Sequence, residues 1–220
     1  MPPLMFRPLA GLKPLCYNLV YSQYFEEGSV LDISEILRRL DALASRKRTV
    51  LAAIDGGSGS GKTTLSLLLS RERDINLFHM DDFYLRPSQR TLERLSEVGG
   101  YTDYERFKAE VLDKILEGEP FSYRRYDCKT DSFSPVSVLP KKINIVEGSY
   151  SQHPYFGEVW DLRIFVTAPI GLRLSRIRER AGEALFERFV RDWIPREDAY
   201  FSKFRIKEKS DIIVVNDKNI

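Results

Sequence analysis

Residues 56–63 read Gly56-Gly57-Ser58-Gly59-Ser60-Gly61-Lys62-Thr63, which fits G-x-x-x-x-G-K-[ST] at every defining position. Before the stretch lies a short apolar run, Thr49 to Ile54, with the look of a strand buried on both faces. After it, Lys62-Thr63-Thr64-Leu65-Ser66-Leu67-Leu68-Leu69-Ser70 reads as a helix. Strand, glycine loop and helix together make the setting of a phosphate-binding loop. Glycines let the backbone N–H groups approach phosphate oxygens closely. The helix aims its unpaired N–H groups and positive dipole end at the same anion. The pattern therefore predicts that Gly57, Ser58, Gly59, Ser60, Gly61, Lys62, Thr63 and Thr64 bind a nucleoside triphosphate, ATP or a close relative. Lys62 is expected to reach the β- and γ-phosphates, and the Thr63 hydroxyl to ligate Mg²⁺. The competing reading is a flexible glycine turn, which the full motif in this context argues against.

Working outward, three more apolar runs read as parallel strands, at Ile75 to Met80, Ile143 to Val146 and Leu162 to Val166, and a further one at Asp211 to Val215. Helical stretches separate them, notably about 103–117 and 170–205. Strands alternating with helices predict an α/β fold with a doubly wound, five-stranded parallel sheet. Ahead of it, Ile33, Ile36, Leu37, Leu40, Leu43 and Ala44 recur at helical spacing among charged residues, which predicts an amphipathic helix packed on a core. Residues 1–30 show no sustained periodicity. The expected organisation is an N-terminal arm and helix over 1–48 and a nucleotide-binding domain over 49–220.

Composition narrows the class. In 220 residues, 43% are hydrophobic and 30% charged, with a net charge of +2. That balance suits a soluble globular protein and argues for neither a nucleic-acid nor a membrane partner. Cys16 and Cys128 stand far apart and in no metal-ligand spacing, so they read as thiols in a reducing compartment. No apolar run is long enough to span a bilayer and no secretory leader is seen, so the chain is expected in the cytoplasm. The oligomeric state is open, a homo-oligomer included.

In a doubly wound sheet, ligands bind beyond the carboxyl ends of the strands. Asp81 and Asp82 follow the strand ending at Met80, and Glu147 follows Ile143-Asn144-Ile145-Val146. A carboxylate there holds Mg²⁺ or takes the proton from an attacking hydroxyl; the structural alternative is a cap on the next turn. Two such sites beside a phosphate loop favour phosphoryl transfer, with Asp81 as base and Thr63, Asp81 and Glu147 organising the metal.

With these pieces in place the chain resembles the P-loop kinases that include uridine kinase and phosphoribulokinase. The resemblance rests on Gly56 to Thr64, on Asp81-Asp82-Phe83-Tyr84, on Tyr126-Asp127 and on Val146-Glu147-Gly148, and covers about residues 49–215. It implies that Asp81 is the catalytic base, that Tyr84 and Tyr126 lie by a nucleoside, and that Glu147 is near the metal. It also marks departures. Asp82 stands where the family usually has serine, Asp131 where it has the histidine that reads the pyrimidine, and Gly100-Tyr101-Thr102-Asp103-Tyr104 replaces its Asn-Phe-Asp-His-Pro segment, with Asp103 the candidate for the ribose-binding aspartate. Asp103 and Asp131 are thus candidate substrate residues.

Arg173, Arg176 and Arg180 share one helical face after the fourth strand, where this family keeps its lid. They are expected to bring positive charge onto the triphosphate; a solvated face paired with Glu179 and Glu183 is the alternative. His79 reads as a core residue or one that supports the site, and His153 as a weak substrate candidate. The expected activity is ATP- and Mg²⁺-dependent phosphorylation of a small metabolite, a nucleoside such as uridine or cytidine first, another alcohol such as a sugar phosphate, pantothenate or another riboside second. A non-catalytic ATP-binding regulatory module is the reading from another class.

Overall fold

The computed structural model describes residues 32–217; the N-terminal arm and Cys16 lie outside them. Helix α1 (Ser34–Ala44) comes first, then β1 (Val50–Gly56), α2 (Lys62–Glu72) and β2 (Ile75–His79). Short helices α3 (Leu92–Ser96), α4 (Tyr104–Phe107) and α5 (Asp113–Glu117) follow, the last two joined by a single π-helical stretch at Lys108–Leu112. Next come β3 (Phe121–Asp127), β4 (Ser132–Val138), β5 (Ile143–Glu147) and β6 (Leu162–Thr167), then α6 (Ile170–Ala181), α7 (Glu183–Arg188), α8 (Ile194–Phe204), α9 (Ile206–Lys209) and β7 (Ile212–Val215).

The main sheet has the order β2-β5-β1-β6-β7, and every pairing in it is parallel. All seven residues of β1 are buried, because it is central and covered on both faces. One apolar cluster joins Leu51, Ala53, Phe78, Met80 and Val146 to Phe83, Phe107, Val111 and Leu112. Another gathers Tyr150, Phe165, Tyr200 and Ile206. Helix α1 buries Ile36 and Leu40, and its Asp41 pairs with Arg73 just beyond α2 at 2.7 Å. The predicted five-stranded parallel sheet is therefore present, with the phosphate loop at the carboxyl end of its central strand.

The sheet is not the whole β structure. Strands β3 and β4 form a separate antiparallel hairpin, Phe121↔Val138 through Asp127↔Ser132, in a region read above without strands. Its turn holds Asp131 at φ 45°, a conformation open to aspartate. The stretch expected as one helix over about 170–205 is also interrupted. Gly182, at φ 75°, ends α6, and a π-helical segment at Phe189–Trp193 leads into α8. Among the described residues no helix is long and apolar enough to cross a membrane.

Candidate active site

The phosphate loop leaves β1 at Gly56, whose φ is 144° and where a Cβ would stand 2.1 Å from the carbonyl oxygen of Val166 on β6. A side chain there would separate the two strands, so glycine is required. The loop closes at Gly61 (φ 100°), where a Cβ would meet the Asn216 amide at 2.2 Å. Helix α2 begins at the next residue, and its first N–H groups have no intrahelical partner. Lys62 curls back, its Nζ donating to the carbonyls of Gly56 (2.7 Å) and Gly57 (3.1 Å). The ammonium is thereby held over the loop.

Parallel register brings the acidic group to the same end of the sheet: Glu147 on β5 is level with Ile54 on β1 and with His79 on β2. The Thr63 hydroxyl lies 3.3 and 3.4 Å from the two Glu147 oxygens, and His79 Nδ1 lies 2.5 Å from Oε1. Burial pulls the His79 imidazole down, but the bond and charge of Glu147 outweigh it and the net shift is upward. His79 is thus the side chain that orients Glu147.

Asp81 sits in the 3₁₀ turn Met80–Phe83 that ends β2. Its side chain reaches solvent while protein crowds it on other sides. Burial, and next the Glu147 charge, raise its pKa above the usual carboxylate range, against the hydrogen bond donated by Tyr84 Oη at 2.7 Å. Asp82 faces away, toward the hairpin, where its carboxylate accepts from Tyr123 Oη at 3.0 Å.

Around this end the predicted substrate residues divide. Tyr126 donates to Asp131 at 3.1 Å, and Asp131 pairs with Arg86 at 3.0 Å, so these three are brought together at the hairpin tip. Asp103 is instead committed to the fold. It caps α4 by accepting the Arg106 N–H (3.2 Å), pairs with the Arg106 guanidinium (3.2 Å) and accepts from Gln89 (3.0 Å). It is buried, and both of its oxygens accept hydrogen bonds from within the protein. His153 is likewise buried, stacked on Tyr104 with ring centroids 4.4 Å apart.

The basic face of α6 reaches the loop from the other side. Arg173 Nε donates to the Ser58 carbonyl (2.8 Å) and Arg176 to the Gly59 carbonyl (3.1 Å). Arg180, a turn further on, is exposed and is not brought to the loop. Arg178 on the same helix pairs with Glu183 at 3.1 Å.

Three residues at this site escape a reading of the sequence by motif. Asp55, fully buried at the end of β1, accepts from the N–H groups of Gly56 and Gln152 and from Tyr200 Oη at 2.8 Å; burial pushes it up to about 6 against those bonds. Glu197 on α8 accepts from Ser58 N–H (2.8 Å), Ser58 Oγ (2.6 Å) and Ser149 Oγ (2.7 Å). Asn216, past β7, donates to the Ser60 carbonyl at 2.9 Å and accepts from Arg176 at 3.3 Å. The one signal available in the sequence was polar residues punctuating apolar runs, as at Asp55 and Asn216.

Comparison with known proteins fits this geometry. The chain is 30% identical over 165 residues to a protein named uridine kinase from Halalkalibacterium halodurans, covering 66% of this chain and 76% of that one. It is 26% identical over 191 residues to a uridine kinase from Oceanobacillus iheyensis, covering 77% and 88%. Among solved structures, a "possible uridine kinase" from Bacillus stearothermophilus superposes with a TM-score of 0.58 at 22% identity, over 82% of this chain and 99% of that one. A candidate fructose transport system kinase from Silicibacter sp. TM1040 gives 0.60 at 23%, over 81% and 94%, a likeness of fold. No protein-family model matches the chain. With the phosphate loop at the carboxyl end of a five-stranded parallel sheet, and with these relatives, the chain belongs to the uridine kinase-like family of P-loop kinases.

Proposed function

We propose that the protein is an ATP- and Mg²⁺-dependent kinase that phosphorylates a hydroxyl of a small metabolite, with a nucleoside as acceptor. The observation that carries this reading is the convergence of Thr63, Glu147 and Asp81 beside the phosphate loop. Thr63, Glu147 and Asp81 offer the hard oxygen donors that Mg²⁺ takes, so they would hold the ion. When bound, the ion supplies neutralising charge to the phosphate oxygens.

The chain's own residues supply the rest. Lys62 leaves the Gly56 and Gly57 carbonyls for the β- and γ-phosphates. As the acceptor oxygen bonds to the γ-phosphorus and the bond to the ADP oxygen breaks, the hydroxyl proton passes to Asp81. A carboxylate with a raised pKa is the better proton acceptor, and Tyr84 holds it in place. Arg173 and Arg176 contribute positive charge against the negative charge of the transferring group.

A specific observation also favours an anionic alcohol, such as a sugar phosphate. Arg90 lies close enough to Tyr126, Cys128 and Asp131 to act on each electrostatically, while its hydrogen bonds go to the Leu85 carbonyl. If Tyr126 and Asp131 face the acceptor, Arg90 would supply a cation to it.

The test is ATP consumption against a panel of nucleosides and sugar phosphates. Turnover raised by a nucleoside supports the first reading, and turnover raised by a sugar phosphate supports the second. ATP binding with no acceptor raising turnover above background hydrolysis overturns both and leaves a nucleotide-binding module.

A further inference from the structure

Glu197 is a buried, well-satisfied carboxylate at the phosphate loop, and no step of the proposed reaction uses it. It comes from α8, far along the chain, and is 3% exposed. Its two oxygens accept from the Ser58 N–H, the Ser58 hydroxyl and the Ser149 hydroxyl at 2.6–2.8 Å, and its remaining neighbour is Arg173 Nη2 at 3.5 Å. Arg173 in turn donates from Nε to the Ser58 carbonyl. The two side chains therefore grip Ser58 from both ends, the acid on its N–H and the base on its C=O.

The helix carrying Glu197 is packed against the core. On the same face, Tyr200 is fully buried and bonded to Asp55, and Ile194 is buried too. Displacing Glu197 would unpack that face, so the carboxylate is a fixed part of the loop's support. Ser58 N–H, spent on Glu197, is withdrawn from the set of amides that face phosphate. A guanidinium has five N–H groups in a rigid fork. Nε is committed to Ser58 and one Nη2 hydrogen faces Glu197, which leaves three to meet an arriving anion. A buried acid that anchors one edge of the fork fixes where the other edge points.

We propose that Glu197 is a positioning residue for the donor site: it locks Ser58 and holds Arg173 over the phosphate loop, ready for the terminal phosphate. This inference rests on the kinase reading above, but its test has a donor-side readout that needs no acceptor. Binding of a fluorescent ATP analogue is measured for the wild type, Glu197→Gln, Arg173→Gln and the double variant, with melting temperature alongside and kcat and KM once an acceptor is known. The expected result is a Glu197→Gln affinity at least 10-fold weaker than wild type, and a double variant within about 2-fold of Arg173→Gln alone, because the two act as one unit. Acceptor KM is expected to stay unchanged while kcat falls. Glu197→Gln binding the analogue as tightly as wild type, or effects of the two substitutions that simply multiply, overturns the proposal. If Glu197→Gln does not fold, Ser149→Ala and Ser58→Ala, which each remove one donor to the same carboxylate, replace it: weaker binding in both supports the proposal and unchanged binding in both overturns it. Failure of the wild type to bind ATP would instead remove the kinase reading itself.

Discussion

Tyr84 donates its hydroxyl to Asp81 Oδ1 at 2.7 Å, three residues away in the turn that ends β2. The bond fixes the carboxylate in that turn and favours its ionised form. Asp81→Asn is expected to abolish phosphoryl transfer while ATP binding survives, and retention of full turnover would remove Asp81 as the base. Tyr84→Phe keeps the base but frees its orientation. A hydrogen bond to a charged group is worth about 1.5–3 kcal/mol, so kcat should fall by about 10-fold or more. Single-turnover kinetics of the two variants separates these effects.

His79 bonds Glu147 at 2.5 Å from the strand on the other side of β5. Partners that orient a metal-binding carboxylate typically matter by about 10- to 100-fold. His79→Phe should therefore raise the Mg²⁺ concentration giving half-maximal activity by at least about 10-fold at constant ATP. An unchanged Mg²⁺ titration would mean that His79 only fills space.

Asp103 distinguishes fold from substrate binding. Asp103→Ala removes the cap of α4 and leaves the buried Arg106 guanidinium without its close partner. Together these should destabilise the protein by about 3 kcal/mol, read by urea unfolding, with acceptor KM unchanged. A raised KM at wild-type stability would return Asp103 to the acceptor site.

Two buried groups give opposite pH signatures. Asp55 is pushed up to about 6 by burial, from an ordinary value of 3.8. The folded state keeps its proton to higher pH than the unfolded chain, so ionisation lowers stability as pH rises through about 4 to 6, and the loss is complete above about 6. Tyr200→Phe removes a donor to the ionised form and should cost about 1–3 kcal/mol, more at pH 8 than at pH 5. Burial lowers His153 to about 4 from 6.5. Its contribution is present above 6.5 and is lost as pH falls toward 4, because the unfolded chain takes up a proton that the folded chain refuses. An NMR titration should show one of the two histidines neutral down to about pH 4; a midpoint near 6.5 for both would contradict its burial.

What could be read from the sequence was whatever sits in consecutive residues. The phosphate loop, Asp81 and Glu147 each end an apolar run, and a strand's carboxyl end is a position that hydrophobic pattern locates. Glu197 enters the site only because the chain returns to it from far away, and nothing in its neighbours marks it. The hairpin was hidden by its own chemistry: Arg124-Arg125 interrupts the alternation in β3, and Pro135 in β4 argues against a strand. The region 170–205 has helical composition throughout, and the break at Gly182 rests on one backbone angle. Asp103 has the right residue type near the right place, but the short helix it caps claimed it.

The sheet order has a consequence for biosynthesis. Among the described strands β1 is the first to leave the ribosome, yet its neighbours are β5 and β6, made about 90 and 110 residues later. The loop that follows it meets Glu197 and Asn216 later still. Until then the nascent chain carries a complete phosphate-loop motif with no sheet to hold it, and long-range pairing of this kind is slow. Nucleotide capture is thus a property of the finished chain, and ATP present during refolding should reward only molecules that have closed the sheet around their earliest strand.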